Sequence, residues 1–343
     1  MGIAALWCNR TMDQKLTSLT TVVERTDVRL RSPEAEVRIW PTGFPILDES
    51  IGGGFRAGAL NVLAGPQGQG KSTMAMQMCR NAAVSGCSAV MFSFELEAEV
   101  LLQRLISMEA GLMFGHSAPP ISQIREAFDG RGQAGGLPER LAECAGPMAI
   151  EALMSIGRYS DRLVIHRSTT AHTDMQSISE CAKEVYADTG QPPLIVVDYL
   201  QKVKPFDRTM SEEQQITLIT QQLKDLAIDF ASPVLALSSA DRDGLKPGQR
   251  MRARHLKGST ALAYEPDVVM IMNTKADIVN RDALVYDVNG LEKMREWTVV
   301  TLEKNRQGSG GLDIEFRKKF LQGRFDIDGT VVSERLVEER LDG

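Results

Sequence analysis

A doubly wound α/β domain on a mostly parallel sheet is the fold class that the sequence predicts, and three observations carry the prediction. The first is Gly65-Pro66-Gln67-Gly68-Gln69-Gly70-Lys71-Ser72, which fits G-x-x-x-x-G-K-[ST] at every required position. It stands between Leu60-Asn61-Val62-Leu63-Ala64, an apolar run that reads as a buried strand, and Ser72 to Met78, which reads as a helix. The second is Leu194-Ile195-Val196-Val197-Asp198, four apolar residues ending on an acid. Parallel strands buried on both faces read as such continuous runs. The third is order: after the glycine loop, short apolar strands alternate with helical stretches.

Glycines at this spacing let backbone N–H groups converge on phosphate oxygens, and the helix N-terminus adds a positive dipole. Gly65, Pro66, Gln67, Gly68, Gln69, Gly70, Lys71, Ser72 and Thr73 are therefore expected to bind a nucleoside triphosphate, taken as ATP. Lys71 would reach the β- and γ-phosphates. Ser72 would hold Mg²⁺ by its hydroxyl, and Asp198 would anchor the same ion through its water shell.

Composition narrows the partners. The 343 residues are 43% apolar with a formal net charge of −6, so any nucleic-acid contact must come from a local patch. Five scattered cysteines without a C-x-x-C pair point to reduced thiols. The four histidines are dispersed and carry no ligand pattern. The apolar start Met1–Trp7 is short and lacks a basic leader, and no stretch approaches the roughly 18 apolar residues that span a bilayer. A cytoplasmic protein without membrane contact is expected.

In chain order, residues 1–40 read as an arm whose helical stripe (Leu16, Leu19, Val22, Val23, Leu30) packs either on its own domain or on a neighbouring subunit. Residues 41–327 are expected to form the core domain, opened by Thr42–Asp48 and the glycine turn Gly52-Gly53-Gly54. Ser88–Phe94 reads as a strand ending on Glu95. A carboxylate there either faces the γ-phosphate and deprotonates the attacking water, or is a solvated loop residue. Residues 111–160 carry no legible chemistry. Leu163–His166 is a strand, Met175–Asp188 an amphipathic helix, Gln214–Phe230 a helix and Val234–Ser238 a strand.

Between Asp241 and Lys257, six of seventeen residues are cationic: Arg242, Lys246, Arg250, Arg252, Arg254 and Lys257. Gly and Pro make the segment a loop, a candidate grip on a phosphate backbone against the alternative of a solvated basic loop. Val268–Met272 is a further strand. Trp297–Glu303 turns through Lys304-Asn305-Arg306-Gln307-Gly308 into Leu312–Phe316, leaving Lys304 and Arg306 as a cationic fork at a hairpin tip. Such a fork can enter another subunit's site as an arginine finger does. Residues 328–343 are expected to be a short helical tail.

Ser93-Phe94-Glu95-Leu96-Glu97, Ile195-Val196-Val197-Asp198-Tyr199-Leu200-Gln201, Leu235-Ala236-Leu237-Ser238 and Glu303-Lys304-Asn305-Arg306-Gln307-Gly308 occur in one order. Together they resemble the C-terminal, RecA-like ATPase domain of the replicative DnaB family of hexameric helicases, over about Thr42 to Asp326. The resemblance implies a ring or helical filament, with a hexamer the first expectation, and ATP and Mg²⁺ bound between protomers. It implies Lys71 and Ser72 on phosphates and metal, Asp198 completing the metal shell, and Glu95 as the catalytic carboxylate. Lys304 and Arg306 would arrive from the neighbour. Arg242 to Lys257 and the stretch after Gln201 would line a channel for single-stranded DNA, traversed 5′ to 3′, with a loader or primase as further partner. Three departures stand out: forty residues occupy the place of the family's N-terminal helical domain, Ser239 stands where the family usually carries a γ-phosphate-sensing Gln, and Lys257-Gly258-Ser259-Thr260 follows the family's pattern only loosely. They leave an alternative, an ATP-controlled switch or loader of the recombinase or clock type that does not unwind.

Overall fold

The computed structural model describes residues 18–31, 38–129, 135–207, 209–241, 243–246, 250–278 and 288–332. The chain divides into two compact units, Met1–Val37 and Arg38–Gly343. In the first, α1 (Leu19–Arg31) starts at Ser18, whose hydroxyl accepts from the Thr21 N–H at 3.2 Å, and Asp27 pairs with Arg31 one turn later. Leu16 of the expected stripe, the cation Arg242 and the tail from Ser333 lie outside the described residues.

The second unit is built on one large sheet. Strands β1 (Ile39–Trp40) and β2 (Phe55–Arg56) form a separate antiparallel ribbon. The sheet comprises β3 (Leu60–Ala64), β4 (Ala89–Ser93), β5 (Leu163–Arg167), β6 (Leu194–Asp198), β7 (Val234–Ser238), β8 (Val268–Thr274), β9 (Trp297–Asn305), β10 (Leu312–Lys319), β11 (Arg324–Phe325) and β12 (Thr330–Val331). Their order is β11-β10-β9-β8-β3-β7-β6-β4-β5, with β12 against β10. From β8 to β5 all neighbours run parallel, and β9 to β12 pair antiparallel.

Sequence accounts for this arrangement. Strands β3, β4, β6, β7 and β8 are buried at every residue, which explains their predominantly apolar runs and requires helices on both faces. Those helices include α2 (Lys71–Val84), α3 (Ala98–Phe114), α4 (Met175–Thr189) and α5 (Glu212–Phe230). α5 begins two residues earlier than its apolar pattern suggests, because Ser211 and Gln214 close a capping box. Chain order places β4 to β7 on one side of β3 and β8 on the other, so a crevice opens at the carboxyl end of β3. No described helix is long and apolar enough to cross a membrane.

Candidate nucleotide site

The glycine loop leaves β3 at Ala64 and enters α2 at Lys71. Gly70, the residue before the helix, has φ 89°, and a Cβ there would lie 2.7 Å from the Phe320 ring and 2.8 Å from Phe325. Only glycine satisfies both the left-handed turn and that close approach. Gln69 is held from the β8 side, accepting from Thr274 at 2.7 Å and from Lys318 at 3.4 Å. Lys71 is buried and folds back on its own loop, donating to the carbonyls of Gly65 at 2.8 Å and Pro66 at 3.0 Å. Burial pushes its ammonium below the usual lysine range, partly offset by the charges of Asp198 and Glu95.

Asp198, the last residue of β6, is fully buried. Neither carboxylate oxygen has a hydrogen-bond partner of normal geometry among the described residues. Burial pushes its pKa up to about 6, against a restraining Ser72 hydroxyl nearby and with Glu95 adding repulsion. A buried carboxylate beside a hydroxyl and an N-terminal helix turn is a donor set that suits a divalent cation and phosphates, with waters and phosphate oxygens as the remaining ligands. Among the described residues no cluster of three or more His, Cys, Asp or Glu is placed to bind metal alone.

Glu95 is set by a tight turn. Ser93 is in register with Asp198, and its hydroxyl accepts from the Leu96 N–H at 3.1 Å and donates to the Leu96 carbonyl at 2.8 Å. That turn projects the intervening Glu95 past the sheet edge, half-exposed. Its carboxylate accepts from Lys202 at 2.9 Å and from the Tyr199 hydroxyl. Burial would raise its pKa, but the Lys202 bond and charge outweigh it, so Glu95 stays below the usual carboxylate range. Lys71, Ser72, Asp198 and Glu95 thus share the carboxyl edge of the parallel strands.

Lys304 and Arg306 lie at the opposite edge. Asn305 pairs with Val268, the first residue of β8, whereas Thr298 pairs with Thr274, the last. At about 3.3 Å per residue the two edges are about 20 Å apart. A bulge at Glu303, which the register skips, turns the end of β9. Arg306 bonds Asp267 at 3.1 Å and the Tyr264 carbonyl at 3.2 Å, and Lys304 bonds the Ala263 carbonyl at 3.3 Å and that of Tyr264. The fork cannot reach the glycine loop of its own chain.

The profile of the DnaB-like helicase C terminal domain matches residues 40–124 and 148–325. The chain belongs to this DnaB-like family. It is 32% identical over 233 residues to the replicative DNA helicase DnaB of Rhodothermus marinus, covering 66% of this chain and 22% of that protein. It is 26% identical over 303 residues to DnaB of Treponema pallidum, covering 87% of this chain and 58% of that protein. The chain therefore spans less than two thirds of these curated relatives. Among solved structures, one described as an ATPase domain superposes with TM-score 0.70 at 18% identity, covering 91% of this chain and 99% of that one. A DnaB-like replicative helicase described with its primase interactions superposes with TM-score 0.66 at 19% identity, covering 92% and 68%. The fold is that of these RecA-like ATPase domains.

The basic segment of this DnaB-like chain departs from the expected open loop. Arg250 is only 11% exposed and bonds Asp313 and Thr301, so its guanidinium is largely committed inside the domain. The side chain of Asn273 grips Met251 at both backbone groups, at 2.7 and 3.1 Å. Arg252 pairs with Glu303 at 2.8 Å, Arg254 bonds His255 at 3.1 Å, Lys246 pairs with Asp243 at 2.7 Å, and Lys257 pairs with Glu212 at 3.1 Å. Four cations of the charge run thus meet acids in space, with Arg250 the most enclosed of them. Phe206, absent from the expected set, is 90% exposed in the run that follows Lys202-Val203-Lys204-Pro205. The signal available for it was a lone aromatic in an otherwise polar stretch.

Proposed function

We propose that this chain is the ATPase domain of a DNA helicase or translocase that hydrolyses ATP between protomers, with Glu95 activating water. In this reading Lys71 binds phosphates, and Ser72 and Asp198 hold Mg²⁺, whose charge would offset that on the β- and γ-phosphates. Lys304 and Arg306 act from the neighbour in a ring or filament, with a hexamer the expected size. Single-stranded DNA would run past the strand-end loops, 5′ to 3′, with Phe206 as a stacking platform and a loader or primase as partner. The observation that carries the reading is the separation of the fork from its own glycine loop: one protomer holds two halves of two different sites.

Mixing Arg306→Ala with Glu95→Gln protomers tests it, since each protein alone is expected to be inactive and the mixture to regain turnover. No recovery over any ratio would remove action in trans. A second reading is favoured by the compensated cations between Lys246 and Lys257: an ATP-controlled switch or loader that binds DNA without unwinding it. A forked duplex separates the two, because a motor displaces the strand and a switch does not.

A further inference from the structure

A cleft of about 350 Å³ opens beside Glu95, at the carboxyl ends of β4 and β5. Glu95, Glu97, Arg167, Thr169, Thr170 and Lys202 line it. Its charges come as two matched pairs: Lys202 holds Glu95 at 2.9 Å and Arg167 holds Glu97 at 2.8 Å. Both acids belong to the turn after β4. Both cations come from neighbouring strands, Arg167 as the last residue of β5 and Lys202 just beyond β6.

We propose that this cleft is a phosphate site, and that filling it releases Glu95 from Lys202. The inference rests on the reading of Glu95 as the residue that activates water. Arg167 offers a planar fork of donors, Lys202 a point charge, and Thr169 and Thr170 hydroxyl donors, which together suit a tetrahedral anion. The side chains of the two pairs are between 36% and 68% exposed. Ion pairs so exposed are weakly held, so a phosphate group can compete for their cations. An anion between the two cations repels both carboxylates, so Glu95 parts from Lys202 and keeps only its bond from the Tyr199 hydroxyl, about which it turns toward the glycine loop.

Lys202 is therefore a positioning residue, holding Glu95 aside until the cleft is filled. It also begins the run that reaches exposed Phe206 four residues on. A base stacked on that ring would bring its own backbone phosphate near the cleft. The ligand is thus a phosphate group, either of a nucleic-acid backbone or as the free ion left by hydrolysis.

The test measures ATP turnover of the full chain in low salt, with inorganic phosphate or an oligothymidylate as added anion. Wild-type protein should be stimulated by at least one. Stimulation by the oligonucleotide alone identifies the backbone as ligand, and stimulation by inorganic phosphate identifies the free ion. Lys202→Met should raise the anion-free rate about two- to fivefold, the range an exposed ion pair can hold back, and should lose the anion response. Lys202→Arg should restore both behaviours, which a merely structural role would not require. Arg167→Ala should shift half-maximal stimulation to higher anion concentration. An unchanged anion-free rate in Lys202→Met, or an unchanged fold-stimulation, overturns the proposal. Equilibrium dialysis of radiolabelled phosphate against wild type and Lys202→Met reads the cleft without turnover. If Glu95→Gln hydrolyses ATP at the wild-type rate while Lys202→Met has lost phosphate binding, the role given to Glu95 has failed and the site has not.

Discussion

The two edges of the parallel sheet carry the same kind of chemistry in opposite states. At the carboxyl edge, Asp198 is buried with no hydrogen bond of normal geometry among the described residues, Lys71 is folded back on the loop, and Glu95 is held by Lys202. At the amino edge, Lys304 and Arg306 rest on Asp267 and the carbonyls around Tyr264, with Arg306 half-exposed. The first edge has charge in need of a partner, and the second has cations in need of a task. The length of a strand separates the two edges, so the groups at one do not touch those at the other within one chain.

The largest effect expected is from the amino edge. Arg306→Ala should lower turnover by about 10³ or more, the scale of an arginine finger, with ATP affinity unchanged. Lys71→Ala should weaken binding itself. Equal loss of affinity from both variants, measured by titration of a fluorescent nucleotide, would erase the contrast between the edges. Next, Glu95→Gln should cost about 10²- to 10⁴-fold in single-turnover hydrolysis while retaining ATP. A variant that still turned over normally would move the base elsewhere.

The third prediction concerns stability. Arg250→Ala should cost about 3–5 kcal/mol by chemical denaturation, since it removes the cation from the buried Asp313 carboxylate, whereas Lys246→Ala should stay within about 0.5 kcal/mol. Similar costs would mean that the segment is open after all. The smallest effect is at Asp198. Its folded pKa of about 6 lies above the ordinary 3.8, so the folded chain binds more protons between those values and loses stability as pH rises through them. Asp198→Asn should accordingly stabilise the nucleotide-free protein by roughly 1–3 kcal/mol at pH 7.5, with the gain fading below pH 5. A destabilised variant at neutral pH would show that Asp198 is already compensated.

Particular residues mark how far the sequence could be read. Strands β3 and β6 were legible to the residue: full burial favours an apolar run, which ends on Asp198 in β6 and before Gly65 in β3, where the buried Asn61 is satisfied by the Val234 carbonyl. Gly70 was legible as part of a loop, but its contact with Phe320 and Phe325, much later in the chain, was not. The basic segment was legible only as a count of charges. Its cations were countable, but Asp313 and Glu303, which neutralise two of them, arrive from β10 and β9.

By itself the sequence determined the α/β class, the phosphate loop, the acid that ends β6, and the resemblance to DnaB-like ATPase domains. Each of these is written in contiguous residues, where backbone periodicity and side-chain type act over a few positions. Tertiary structure decided which charges meet: Lys202 with Glu95, Arg250 with Asp313, and Arg306 with Asp267 at the edge remote from its own phosphate loop. Ion pairing falls off over a few ångströms in space whatever the separation along the chain, so only folding can assign the partners.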